Sequence, residues 1–491
     1  MAKHAASFPV AGWVKHYNKQ SFLSDLVAAV IVAIMLIPQS LAYAMLAGLP
    51  PEICLYASIA PLLAYALLGT SSTLSVGPVA ITSLMTGAAL AEVAQQGTAE
   101  YLTGAITLAA LSGVMLLGFG LLRLGFLANF LSHTVVSAFI TASALIIALS
   151  QVGYVLGIEV EGDNLFELVH AIGIQSNDAN LYTLLIGLAT LTFLFAVRFW
   201  GVGVLQKAGL SARTAELAAK SAPVIGVITS ILLTFRFELA DRGVAIVGTI
   251  PTGLPILAVP TFSLELIEML LIPAALISII GYVESISVGR TLGAQRQERV
   301  DSNRELVGLG AANLSSAFSG ALPVTGGFSR SVVNFDAGAV TQGASVYTAI
   351  LIALVSLLLT PALYFLPKAT LAATIIVAVL SLVDLSIIRK TWRYSRSDSL
   401  ALLMTICATL GFGVETGVSC GVVTSLALHL YRTSRPHIAE VGLVEGTEHF
   451  RNVRRYEVKT APEILTLRVD ESLFFANASC LEDEIFMKLT S

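Results

Sequence analysis

Charge is what this chain of 491 residues has least of: 28 Lys and Arg with 32 Asp and Glu make up 12% of it, about half the roughly 25% of a soluble globular domain. So few charges exclude water as the main solvent. The formal net charge of −4 also excludes a broadly basic surface, and with it a nucleic-acid partner. Only four cysteines occur, Cys54, Cys407, Cys420 and Cys480. They are scattered singly, which excludes a disulfide framework and gives no metal-ligand spacing. Phosphate-binding loops, metal motifs and nucleophile–base signatures are also missing. No metal or cofactor is expected, and an enzyme is the least supported class.

Apolar sequence takes the place of charge, at 56% of residues. Ala105–Leu122 runs 18 residues without an ionisable group, and Leu124–Ile158 runs 35 with no Asp, Glu, Lys or Arg and a single His133. About 20 apolar residues cross a bilayer, so these are membrane spans. Hydropathy places spans near 23–46, 54–69, 78–94, 103–122, 126–152, 181–200 and 216–235. A second set falls near 266–289, 304–320, 329–340, 344–360, 366–387, 399–413 and 415–431. The expected fold is an all-α polytopic membrane protein of fourteen spans, two repeats of seven over 23–235 and 264–433. An odd number per repeat inverts the second relative to the first. The third span of each set is short and opens at a Gly/Pro-marked break, SVGPVAITSL at 75–84 and PVTGGFSRSVVN at 323–334. Paired interruptions of this kind mark the midplane binding site of a transporter.

Charge asymmetry orients the chain independently. Residues 158–180 hold Glu159, Glu161, Asp163, Glu167 and Asp178 without Lys or Arg, whereas 389–396 holds Arg389, Lys390, Arg393 and Arg396. The positive-inside rule puts the basic loop, the loop of Arg290, Arg296, Arg299 and Arg304, and both termini on the cytoplasmic side. Residues 1–22, with Lys3, Lys15, Lys19, Trp13 and Tyr17, carry no cleavage pattern and read as a retained cytoplasmic segment. After 435 charge becomes frequent: 436–460 reads as a linker, and EILTLRVD at 463–470 alternates like a strand opening a small unit over 461–491.

Several polar residues sit where hydrocarbon makes them expensive. Gln39 follows Pro38 inside the first span, with Tyr43 one turn on; Gln39 either lines a polar pocket or satisfies backbone freed by the proline. Gly77 and Pro78 lead into a half-helix whose first residues, Val79 and Ala80, present a helix end worth about half a positive charge. At the matching break stand Phe328, Ser329, Arg330 and Ser331, with no acid before Asp336. This donor-rich cluster suits a small anion. Glu284, well inside the eighth span, is either a structural ion partner of Arg330 or a carboxylate whose protonation is coupled to anion binding. Two half-helix ends and Arg330 amount to about +2, which an ionised Glu284 reduces to about +1; protonation would favour a divalent anion. His133 reads as an interfacial histidine rather than part of this site.

The strings PQSLAYAMLAGLPP, SVGPVA, LSHTVVSAFITASALIIALSQ, VESISVGRTLG and GGFSRSVVN together resemble the sulfate permease (SulP) family, to which pendrin and prestin are related. The resemblance covers most of the chain. It implies a core of spans 1–4 and 8–11, a gate of spans 5–7 and 12–14 that supports a homodimer, and elevator-like movement of core against gate. It implies an anion site at Gln39, Tyr43, Val79, Ala80, Ser329, Arg330 and Ser331, with coupling at Glu284. Residues 461–491 resemble only the start of the family's α/β STAS domain. The expected function is secondary active transport of sulfate or a similar oxyanion or dicarboxylate across the bacterial inner membrane, with proton symport or exchange. A sodium-coupled bicarbonate transporter is the alternative within this fold; Glu284, together with Val288 in place of a hydroxyl, disfavours sodium. A passive or voltage-responsive anion channel is the alternative from another class.

Overall fold

The protein, a computed structural model, is described over residues 9–15, 17–129, 133–160 and 162–490. Lys3, Glu161 and the side chain of His133 therefore lie outside the described residues. Each of the fourteen hydropathy windows overlaps a helix. Among the described residues, six of these suffice by length and composition to cross a membrane: Lys19–Leu46, Pro51–Leu68, Ala99–Leu121, Thr134–Leu156, Leu181–Lys207 and Leu264–Gln295. A seventh is added if Thr214–Lys220 and Ala222–Arg236, bent 45° to one another, count as one. Of the helices in the remaining windows, the two that matter most are Ala80–Ala91 and Phe328–Ala337, of only 12 and 10 residues. At about 1.5 Å per residue neither reaches across a hydrocarbon core about 30 Å thick. Each is a half-helix that ends inside the protein.

What precedes each half-helix explains why it stops there. Val76–Gly77 and Thr325–Gly326 are two-residue strands, paired antiparallel with Val76 opposite Gly326 and Gly77 opposite Thr325. Extended backbone buried at this depth is tolerated only when its polar groups find partners within the protein. Here they pair with one another and with side chains. Asn313 Nδ2 donates to the carbonyl of Val324 at 2.9 Å, and its Oδ1 accepts from the Val324 amide at 2.9 Å. Ser285 Oγ accepts from the Gly326 amide at 2.9 Å.

Around this crossing, helices pack through small residues, as expected where lipid supplies no hydrophobic drive between helices. Ala99–Leu121 and Ser302–Phe318 approach so closely that a Cβ on Gly113 would lie 2.8 Å from the Leu314 nitrogen, and one on Gly310 2.7 Å from the Leu117 nitrogen. Ser112 and Ser278 share a buried hydrogen bond of 2.8 Å that ties Ala99–Leu121 to Leu264–Gln295.

Residues 436–460 are not a linker. Ile438–Leu443 is the central strand of a three-stranded sheet, flanked by Phe450–Asn452 and Leu467–Val469. Strand pairing buries Ala439 and Val441. Sequence reading missed this because charged residues and a turn at Gly446, with φ of 76°, interrupt the alternation before it becomes long. The 463–470 strand shortens to its last few residues for a related reason: only Leu467–Val469 lies beside its partner. Two amphipathic helices, Leu165–Gln175 and Ser386–Tyr394, were also invisible to a search for continuous apolar runs.

Candidate functional site

The two half-helices start without side-chain caps: Val79 and Gly327 hold the N-cap positions, and neither provides a side-chain acceptor. The first amides of a helix have no acceptor within it. Intrahelical bonding begins only with Ser83 to Val79 and with Ser331 to Gly327. The amides of Ala80, Ile81 and Thr82, and those of Phe328, Ser329 and Arg330, therefore form two donor sets at a point where both helix dipoles are positive.

Arg330 lies between them. Its side chain is 2% exposed, and Nη1 donates to the carbonyl of Pro78 at 2.5 Å, bridging the second half-helix to the entrance of the first. Its Nε and Nη2 are buried with no hydrogen-bond partner among the described residues. An unsatisfied buried donor costs about 1–3 kcal/mol, and a charged one more, so this guanidinium has two donors free for an acceptor. Two glycines make room for it: a Cβ on Gly327 would stand 2.9 Å from Nη2, and one on Gly77 3.3 Å from the same atom.

Glu284 reaches this region because its helix is stitched to the second strand. Ser285 Oγ shares a hydrogen bond of 2.8 Å with Thr325 Oγ1, which donates to the Gly281 carbonyl at 2.6 Å. Glu284 is 7% exposed and its Oε2 has no hydrogen-bond partner among the described residues. Among the described residues no ion pair within 4.0 Å joins it to Arg330. The two nevertheless share one electrostatic neighbourhood with Tyr43 and Cys54.

Other predicted residues divide into available and occupied. Gln39 is half-buried and Tyr43 is 8% exposed, and neither side chain has a hydrogen-bond partner among the described residues. Gln39 thus does not satisfy backbone freed by Pro38. Phe328 and Ser329 are exposed at the second half-helix, whereas Val79 and Ala80 are buried. Ser331 is spent on structure: its hydroxyl donates to Gly327 O at 2.7 Å and accepts from the Ser75 amide at 3.0 Å.

Two further buried acids escaped the sequence reading. Glu305 accepts from Tyr65 Oη at 2.6 Å, the Thr70 amide at 2.7 Å, Thr70 Oγ1 at 2.5 Å and the Ser71 amide at 3.1 Å. Asp25 accepts from the Val340 amide at 2.6 Å, the Thr341 amide at 3.1 Å and Thr341 Oγ1 at 2.5 Å. Both carboxylates are fully satisfied by fixed donors, which is how buried charge is normally kept. Glu284 is the exception among the three. An acid near the start of an apolar run was the signal for Asp25 and Glu305, and an acid within such a run for Glu284; only partner geometry separates their roles.

Two interrupted helices meeting head to head at an incompletely paired arginine, within a bundle of apolar helices, define an integral membrane transporter. The chain belongs to the sulfate permease family, whose sequence model matches residues 22–405. It is 36% identical over 481 residues to sulfate transporter 4.1, chloroplastic, of Arabidopsis thaliana, covering 97% of this chain and 69% of that protein. It is 35% identical over 475 residues to a probable sulfate transporter of Mycobacterium tuberculosis, covering 95% and 82%. Its fold is similar to the solved structure of SLC26A9, with a TM-score of 0.89, 25% identity and coverage of 98% of this chain and 77% of that one. It also resembles, in fold alone, the transmembrane domain of the cyanobacterial bicarbonate transporter BicA, with a TM-score of 0.69, 20% identity and coverage of 84% and 98%. These relatives are transporters, and this chain is not an enzyme.

Proposed function

We propose that the protein is a secondary active transporter that carries sulfate, or a closely similar oxyanion or dicarboxylate, and couples its movement to a proton. The observation that carries this reading is the pair of unpartnered guanidinium nitrogens on Arg330, buried where two uncapped helix N-termini converge. The anion accepts from those nitrogens and from the opposing amide sets at Ala80 and Ser329. Gln39, Tyr43, Val79 and Phe328 shape the pocket, Ser329 adds a hydroxyl, and Ser331 positions the crossing. Glu284 takes up the proton and so raises the positive charge offered to a divalent anion from about +1 to about +2.

The same reading has fourteen spans in two inverted repeats, within a transport domain over 23–435. A core of spans 1–4 and 8–11 moves against a gate of spans 5–7 and 12–14 in a homodimer. Both termini are cytoplasmic, and the sheet that begins at Ile438 opens a STAS-like unit. Uptake of labelled sulfate, bicarbonate and fumarate into proteoliposomes, with proton and sodium gradients varied separately, tests the function. Proton-driven accumulation of sulfate or fumarate is the expected outcome. Sodium-driven bicarbonate uptake, or equilibration without accumulation, would replace it with the bicarbonate or channel reading.

A further inference from the structure

The helix Ser386–Tyr394, SIIRKTWRY, lies between Lys368–Leu380 and Arg396–Phe412 and plays no part in the site above. Its start is fixed by Asp384, whose Oδ1 accepts from the Ser386 amide at 2.9 Å and from its hydroxyl at 2.6 Å. One face is anchored: Ile387 and Thr391, one turn apart, are buried, and Ile387 packs with Ala138 and Leu402. Arg389 and Arg393, also one turn apart, lie on the opposite side, with Lys390 and Trp392 on the flanks. All four are exposed, as are Tyr394 and Arg396.

These cations form no ion pair among the described residues. Among the described residues, no carboxylate lies within 4.0 Å of Arg389, Lys390, Arg393 or Arg396. The acids close by are engaged elsewhere: Asp384, which bears electrostatically on Lys390, is held by Ser386, and Asp398 is engaged at 3.6 Å by Arg432 from the end of Val414–Thr433. That contact gathers Arg432 onto the same end of the bundle, followed by Arg435, which stacks over the Tyr431 ring at 4.8 Å. Exposed aromatic rings accompany the charges: Trp392 is 62% and Tyr394 90% exposed. Trp and Tyr favour the headgroup level of a bilayer, where one end of the ring is apolar and the other wet. A soluble phosphate would satisfy the cations and leave those rings in water; a lipid satisfies both.

We propose that Ser386–Tyr394 is a docking surface for the phosphate headgroups of anionic phospholipids, held by Arg389, Lys390, Arg393 and Arg396, with Trp392 and Tyr394 seated at the headgroup level. The inference rests on the reading that the flanking helices are membrane spans. Lipid bound there braces the Lys368–Leu380 and Arg396–Phe412 helices at one membrane face, so transport depends on anionic lipid.

The test uses the full chain purified in mild detergent and loaded with phosphatidylcholine, alone or with about a third replaced by phosphatidylglycerol. Lipid retained after washing is measured by mass spectrometry. The wild type retains phosphatidylglycerol in preference to phosphatidylcholine, and R389Q/K390Q/R393Q lowers that preference by about tenfold or more. R389K/K390R/R393K, which keeps all three charges, restores it and controls for folding. In proteoliposomes the anionic lipid raises uptake by the wild type and not by the Gln variant. Equal retention by wild type and Gln variant, or equal stimulation of uptake in both, overturns the proposal. Absence of uptake in every lipid sinks the transport reading instead, and retention still decides this one.

Discussion

Arg330 on one half-helix donates through Nη1 to the carbonyl of Pro78 at the mouth of the other. That bond spends one arm of the guanidinium on holding the crossing together and leaves Nε and Nη2 facing inward without partners. Shape and charge are therefore both needed. Arg330→Lys keeps the charge but cannot bond Pro78 and an anion in the same planar fork. Losing one charge-assisted hydrogen bond of about 1.5–3 kcal/mol predicts sulfate affinity about 10–100-fold weaker. Arg330→Gln weakens it further. Isothermal titration in detergent reads the affinity directly, and unchanged affinity in the Lys variant would show that the fork is not used.

Glu284 and Glu305 make a matched pair of substitutions. Glu284 has an unpartnered oxygen and Glu305 accepts four hydrogen bonds. Glu284→Gln removes no partner and leaves thermal stability near wild type. Protonation of Glu284 makes the site more positive, so wild-type uptake of a divalent anion rises as pH falls; the Gln variant stays flat across the same range. Glu305→Gln replaces two acceptor oxygens with one and introduces an amide donor among groups that already donate. It destabilises by about 2 kcal/mol or more, while whatever folds keeps its pH dependence. Melting curves and uptake at several pH values separate the two.

How far the site was legible follows from the same residues. Apolar length and a lone arginine beside glycine were enough to find Arg330, because hydrocarbon makes such a residue costly wherever it sits. Fourteen windows each overlap a helix because lipid imposes the same requirement on every segment. Partnering was not legible. Ser331 looked as available as Ser329, yet its hydroxyl is taken by Gly327 and Ser75, and Ser75 lies 256 positions away in the chain. The strand at Ile438 and the helix at Ser386 were hidden because neither is an apolar run; each is stabilised on one face only.

Glycine substitutions distinguish room for a side chain from room for a backbone. A Cβ at Gly327 meets Arg330 Nη2 at 2.9 Å and Cζ at 3.1 Å, the far end of a flexible chain. Gly327→Ala displaces the guanidinium, costs transport severely and changes the melting temperature little. A Cβ at Gly113 meets the Leu314 nitrogen at 2.8 Å and the Gly310 carbonyl at 3.0 Å, both backbone. Gly113→Ala forces two helices apart and destabilises by about 1–3 kcal/mol. Equal losses of stability at both positions would contradict this account.

The ion pair between Lys220 and Asp336 bears on movement. Lys220 Nζ lies 2.7 Å from Asp336 Oδ2 and 2.8 Å from Glu216 Oε1. Lys220 sits at the bend between Thr214–Lys220 and Ala222–Arg236, in the seventh window, while Asp336 occupies the last turn of the second half-helix. If the half-helix travels with the anion past the bent pair, this contact must break in every cycle. Both side chains are partly exposed, at 23% and 34%, so the pair is worth no more than about 1 kcal/mol. Removing it can change a conformational rate by at most about fivefold. Asp336→Asn and Lys220→Met are each expected to speed exchange between loaded vesicles within that limit and to leave sulfate affinity unchanged. The swap K220D/D336K, made with Glu216→Gln so that the new Asp does not face a like charge, brings the rate back toward wild type if the contact itself sets the barrier. Slower exchange in both single variants would mean that the pair supports the moving state rather than restraining it.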